Sequence, residues 1–166
     1  MSETASVDKG VAIAIGPEEG LSYWQPRPST GYVTVKISPY NSPHDLISAG
    51  VQVLEPGASV RRHAHERANE ILFVFEGEGR AEIDGRWHRV SQGSTFMVGR
   101  FVQHYVENDG VKPLKLFWAI MPSGLEEWFG ALGRPRRPGE APPAPFERPA
   151  DVDDIQRRMR FVIPDV

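Results

Sequence analysis

From Gly31 to Met121 the chain alternates short runs of β-branched and aromatic residues with clusters of turn formers. The runs are Tyr32–Ile37, Ala49–Leu54, Glu70–Phe75, Ala81–Ile83, Trp87–Val90, Thr95–Val98, His104–Glu107 and Leu114–Met121. Between them lie Glu55-Pro56-Gly57, Gly77-Glu78-Gly79, Asp84-Gly85, Ser91-Gln92-Gly93 and Asn108-Asp109-Gly110. Runs this short, recurring about every 8–12 residues between such breaks, predict antiparallel strands in an all-β barrel or sandwich. Asp84-Gly85 is the sharpest signal, because a type I′ hairpin needs positive φ at both central residues. Ile71–Phe75 is continuously apolar and predicts a strand buried on both sides, with Phe73 and Trp118 assigned to the barrel core.

The flanks follow other patterns. Val11–Ile15 predicts one strand, and Tyr23-Trp24 is an aromatic cluster. In Gly124–Leu132 the residues Leu125, Trp128, Phe129 and Leu132 share one helical face, which reads as a packing helix rather than a lid. Arg134–Pro149 carries Pro135, Pro138, Pro142, Pro143, Pro145 and Pro149, which excludes helix and central strand and predicts an extended arm. Asp151–Met159 predicts a last helix, with acidic residues in its first turn. The division expected is an N-terminal arm over 1–30, a barrel over 31–122, and a C-terminal helix and Pro-rich arm over 123–166, packed on the barrel.

Composition narrows the chemistry. A chain of 166 residues, 40% hydrophobic and 25% charged, suits one ordinary globular domain. Its net charge of -3 leaves no excess of Lys and Arg for phosphates, so neither nucleic acid nor an anionic membrane is expected as partner. No cysteine is present, which excludes disulfides, thiolate metal sites and a Cys nucleophile. Met1-Ser2-Glu3-Thr4 shows no secretory signal, and no apolar stretch approaches the roughly 20 residues of a membrane span. A soluble cytoplasmic protein is the expectation.

Candidate chemistry gathers in two segments. In the first, Gly57 to Gly77, His63 and His65 stand two residues apart and would project to one face of a strand. A short link leads to Glu70 at the head of an apolar run, where a carboxylate needs a cation. The second segment runs from Gly93 through His104 to Asn108. Together they resemble the two motifs of the cupin superfamily. The first motif, G-x5-H-x-H-x3,4-E-x6-G, is matched at Gly57, His63, His65, Glu70 and Gly77. The second, G-x5-P-x-G-x2-H-x3-N, is matched at Gly93, His104 and Asn108, and departs at Gly99, where the motif has Pro, and at Phe101, where it has Gly.

The resemblance implies a single cupin jelly-roll β-barrel holding one divalent metal through His63, His65, Glu70 and His104. It also implies a homodimer formed through sheet edges, to which Val11–Ile15 and Tyr23-Trp24 would contribute. Three neutral imidazoles and one carboxylate leave a formal charge of about +1 and two open octahedral positions, with Fe(II) expected first and Mn(II), Ni(II), Co(II) or Zn(II) compatible. Glu70 is by default a ligand and is also the candidate catalytic base. Gln52, Phe101, Gln103 and Trp118 are candidate substrate-pocket residues. Arg62, Tyr105, His44 and His88 are assigned structural or solvent-facing places.

Three functions fit. The first is an oxidoreductase, an O2-dependent dioxygenase of the quercetinase-like kind acting on a small organic substrate. The second is a non-redox isomerase, cyclase or lyase, for example on a polyketide-like or keto-acid substrate. The third is a non-catalytic small-molecule-binding module. An inner face carrying Leu72, Val74, Phe96, Val98 and Val106 predicts an aromatic or otherwise apolar compound.

Overall fold

A computed structural model of the protein describes residues 10–159 and 161–162. In chain order its strands are β1 (Leu21–Trp24), β2 (Gly31–Ile37), β3 (Ser48–Leu54), β4 (Ser59–His65), β5 (Asn69–Glu76) and β6 (Glu78–Ile83). They continue with β7 (Arg86–Ser91), β8 (Thr95–Val98), β9 (His104–Glu107), β10 (Leu114–Met121), β11 (Arg134–Pro135) and β12 (Phe161–Val162). Helix α1 (Leu125–Leu132) follows β10, and α2 (Val152–Met159) precedes β12. One sheet has the order β11-β1-β2-β3-β10-β5-β8 and the other β12-β4-β9-β6-β7, with all the pairings antiparallel. This is the antiparallel all-β arrangement that the strand pattern predicts, in the jelly-roll form that the resemblance implies.

Period-two alternation fills the space between the sheets. On β10, Leu114, Leu116, Trp118 and Ile120 are buried, and Leu72 and Val74 of β5 meet them. Trp118 packs its ring 5.2 Å from that of Phe129 on α1. Beneath Trp118 runs Gly50, where a Cβ would stand 2.7 Å from the indole and 2.2 Å from the Thr34 carbonyl oxygen. The Asp84-Gly85 turn has positive φ at both residues, 50° and 75°, as a type I′ hairpin requires. Asn108 is fully buried and ties the end of β9 to its surroundings, donating to the carbonyls of Leu54 and Lys112 and accepting from Gly110 N–H.

Several expectations need correction. β5 is buried on one face only: Phe73 is 38% exposed and pairs across the sheet with Phe117, 37% exposed, so Phe73 belongs to the outer face and not the core. Alternation explains this, because Glu70, Leu72 and Val74 take the inner positions. Val11–Ile15 forms no strand. After it, Lys36 Nζ donates to the carbonyls of Gly16, Pro17 and Glu19 and fastens residues 16–19 to β2. The aromatic pair Tyr23-Trp24 lies in β1, inside the sheet. The C-terminal extension covers two strand edges, with β11 on β1 and β12 on β4. The Pro-rich stretch lies along the barrel: Phe146 O accepts from Arg27 N–H at 2.9 Å, and the Arg134 guanidinium sits 4.0 Å from the Phe146 ring centre. Among the described residues no helix is long and apolar enough to cross a membrane. The N-terminal residues read for a secretory signal, Met1 to Thr4, lie outside the described residues.

Candidate metal centre

The two sheets meet at a cluster of four side chains. β4 supplies His63 and His65, β9 supplies His104, and the antiparallel register sets His104 directly opposite His63. The chain then crosses to the other sheet, where β5 brings in Glu70 between Ile120 of β10 and Val98 of β8. One donor atom from each of the four residues lies within 4.8 Å of every other. His65, Glu70 and His104 are almost wholly buried, and His63 is half-buried.

Hydrogen bonds orient the rings. His63 Nδ1 lies 2.8 Å from the carbonyl oxygen of Arg61, and His104 Nδ1 lies 3.2 Å from that of Val102. A carbonyl only accepts, so each Nδ1 carries the proton and each Nε2 presents a lone pair. His104 Nε2 is buried with no hydrogen-bond partner among the described residues, yet it sits 3.0 Å from Glu70 Oε2. His65 Nε2 lies 3.1 Å from the same oxygen. Burial on its own pushes the Glu70 carboxyl up, but the neighbouring imidazoles of His104 and His65 outweigh it and hold the group below the usual carboxylate range. His63 is held well below the ordinary imidazole value, first by burial and then by its two imidazole neighbours, so it is neutral at neutral pH.

This arrangement fits a divalent cation. Four donor groups that converge on one point, three of them almost wholly buried, suit a positive charge held among them. Donors about 2.1 Å from an ion and cis to one another stand about 3 Å apart, which is the spacing of the two imidazole–carboxylate pairs. Carbonyl partners on the far nitrogens are the usual outer support of metal-bound histidines.

A cavity opens on the cluster. Besides His63, Glu70 and His104, its walls include Gln52, Leu72, Trp118 and the α1 residues Trp128 and Phe129. Gln52 and Trp118, two of the candidate pocket residues, are thus among its lining. Phe101 and Gln103 do not line it. The Gln103 backbone carbonyl accepts from Asp84 N–H of the β6–β7 turn at 2.8 Å. Phe101 is 61% exposed with a φ of 62°, and its N–H donates to the His65 carbonyl at 2.9 Å. The backbone keeps the left-handed turn that a glycine would make there, and the side chain stands in solvent. Phe101→Gly is expected to leave metal content unchanged and raise stability by about 1 kcal/mol in urea denaturation, since the left-handed conformation is costly for a residue with Cβ. Arg62, Tyr105, His88 and His44 lie outside the cavity walls; Arg62 pairs with Glu82, and the Tyr105 ring meets that of Trp87 at 5.9 Å.

Residues that the sequence did not single out complete the walls. Arg61 precedes His63 by two positions, a spacing at which strand side chains share a face. Arg148 arrives from the Pro-rich arm and Gln156 from α2. No local pattern announces either of these.

Comparison with known proteins agrees with the fold. A family model described as "Cupin domain" matches residues 50–120. An uncharacterized protein of Methanocaldococcus jannaschii is 29% identical over 70 residues, or 42% of this chain and 56% of that protein. The chain thus spans little more than half the length of this curated relative. A structure described as a predicted oxalate decarboxylase from Thermotoga maritima superposes with a TM-score of 0.58 at 23% identity, covering 67% of this chain and 100% of that one. An RmlC-like cupin from Shewanella frigidimarina gives a TM-score of 0.50 at 20% identity, covering 58% and 79%. At such identities the structural likenesses concern the fold.

Proposed function

We propose, from the match of residues 50–120 to a cupin domain and from the four-residue cluster, that the protein is a mononuclear metal-dependent enzyme acting on a small organic molecule, and first of all an O2-dependent dioxygenase. The observation that carries the metal reading is the cluster itself, in which one donor atom from each of His63, His65, Glu70 and His104 lies within 4.8 Å of every other. A divalent ion bound there supplies a Lewis-acidic centre with open positions for a small molecule and, if it is Fe(II), for O2.

The chain's own residues prepare that centre. The Arg61 and Val102 carbonyls fix the tautomers of His63 and His104, so both present Nε2 without reorganising. Glu70 stays ionised among the imidazoles and contributes the negative charge that a divalent ion requires. Trp118, Phe129 and Leu72 exclude water from the walls, which strengthens every charge interaction within. Gln52 is a polar wall residue able to orient a bound molecule by hydrogen bonding.

The test is oxygen uptake. Protein reconstituted anaerobically with Fe(II) is mixed with a panel of aromatic and enolisable compounds and followed on an oxygen electrode. Consumption of O2 dependent on both iron and one compound is the expected result. Turnover of a compound without O2 consumption would move the assignment to isomerase, cyclase or lyase chemistry. Binding without turnover would leave a small-molecule-binding module.

A further inference from the structure

The cavity that opens on the metal cluster is lined by three charged residues, Arg61, Arg148 and Glu70. Glu70 lies 3.1 and 3.0 Å from His65 and His104 Nε2 and belongs to the metal cluster. The two guanidiniums do not. Among the described residues neither Arg61 nor Arg148 forms an ion pair with a carboxylate. Arg61 donates to the neutral amide oxygen of Gln156, whose own nitrogen donates to Asp153 at 3.2 Å. Arg148 spends Nε on the Arg27 carbonyl at 3.3 Å, and its guanidinium carbon lies 5.9 Å from the Trp128 ring centre. Its Nη1 is buried with no hydrogen-bond partner among the described residues. A second wall residue, Trp118, likewise has a buried indole Nε1 without a partner among them.

Buried donors left without acceptors are rare, because each costs about 1–3 kcal/mol. Two cationic side chains in one cavity repel as well. The effect is visible in Arg148, whose value falls to about 10, chiefly through burial and further through Arg61. The costs at the two guanidiniums would be relieved by an anion with planar acceptor oxygens, which a guanidinium binds with two parallel hydrogen bonds. The rest of the wall is apolar and aromatic, including Leu116, Leu125, Trp128 and Phe129.

We propose that the ligand of this cavity is a small organic acid whose carboxylate is bound by Arg148, with Arg61 beside it, and whose apolar body lies against Trp128 and Phe129. This deepens the metal-enzyme reading and rests on it for the role of the ligand as substrate. The expected apolar compound thus acquires a charged end. The Pro-rich arm acquires a task, since it carries Arg148 to the barrel.

The experiment titrates metal-loaded protein with benzoate, phenylacetate and 2-naphthoate, each beside its neutral primary amide, by calorimetry. Wild type is expected to bind at least one carboxylate about tenfold more tightly than its amide, as charge-assisted pairing implies. Arg148→Met is expected to lower that preference to within about twofold with metal content unchanged, and Arg148→Lys to keep part of it. Circular dichroism confirms that both variants fold, and the lysine variant preserves the test if the methionine variant does not. A wild type with no preference for any carboxylate overturns the proposal. So does a preference that survives Arg148→Met but disappears in His63→Ala/His104→Ala, which would put the carboxylate on the metal. A preference dependent on Arg148 in a protein that takes up no metal would instead keep the anion site and defeat the metal reading.

Discussion

Trp118→Ala is expected to cost about 3–5 kcal/mol of stability in urea denaturation, the largest loss from any single truncation in the barrel. Trp118 is 1% exposed, lies over Gly50 of the neighbouring strand, and abuts Phe129 of α1. Removing the indole therefore opens a void that the sheet cannot close, because Gly50 has no side chain to fill it. The control lies one residue earlier. Phe117 alternates to the outer face at 37% exposure, and Phe117→Ala should cost roughly 1 kcal/mol or less. Metal content should survive both changes, since neither residue supplies a donor. Equal losses at the two positions would contradict the assignment of inner and outer faces on β10.

The second large effect concerns Glu70 and emerges only with metal. In the metal-free protein this carboxylate is buried at 4% exposure, and its imidazole neighbours offset that desolvation. Glu70→Met keeps the volume and removes both the desolvation and those contacts, so the metal-free variant should lie within about 1 kcal/mol of metal-free wild type. With metal at a hundred times its dissociation constant, wild type gains about 2.7 kcal/mol and the variant gains nothing. The gap between the two should therefore open in metal-supplemented buffer and close in chelated buffer, as read by thermal midpoints. Strong destabilisation of metal-free Glu70→Met, beyond about 2 kcal/mol, would show that the carboxylate serves the fold rather than an ion.

Most of the barrel was legible because each strand announces itself twice, by alternation and by the turn that ends it. Asp84-Gly85 is the clearest case, with both φ values positive. β4 was harder: Ser59–His65 is mostly polar, and only His63 and His65 marked it as a strand with an inner face. Continuous hydrophobicity misled at Phe73, because an apolar run cannot tell a strand buried on two faces from one with aromatics on its outer face. Val11–Ile15 misled for a related reason. Strand propensity is fulfilled only where a partner offers hydrogen bonds, and here the edge of β1 is taken by Arg134–Pro135.

The four donors were legible from spacing and motif together, since their residue types carry the chemistry. The pocket was legible only in part. Gln52 and Trp118 sit at inner positions of paired strands, whereas Phe101 was misplaced because a left-handed backbone turn put its side chain in solvent. Arg148 lies 85 positions beyond His63 along the chain, by subtraction of their numbers, and nothing in its Pro-rich surroundings indicates what it meets. Long-range packing brings it to the cavity, and only coordinates reveal that.

If His63, His65, Glu70 and His104 hold one divalent ion, elemental analysis will find it in protein purified without chelator or nickel affinity, measured beside the His63→Ala/His104→Ala variant. About one metal per chain is expected in wild type, with iron the expected element, and less than about a tenth in the variant. Wild-type protein that contains no metal, even after anaerobic reconstitution, would contradict it.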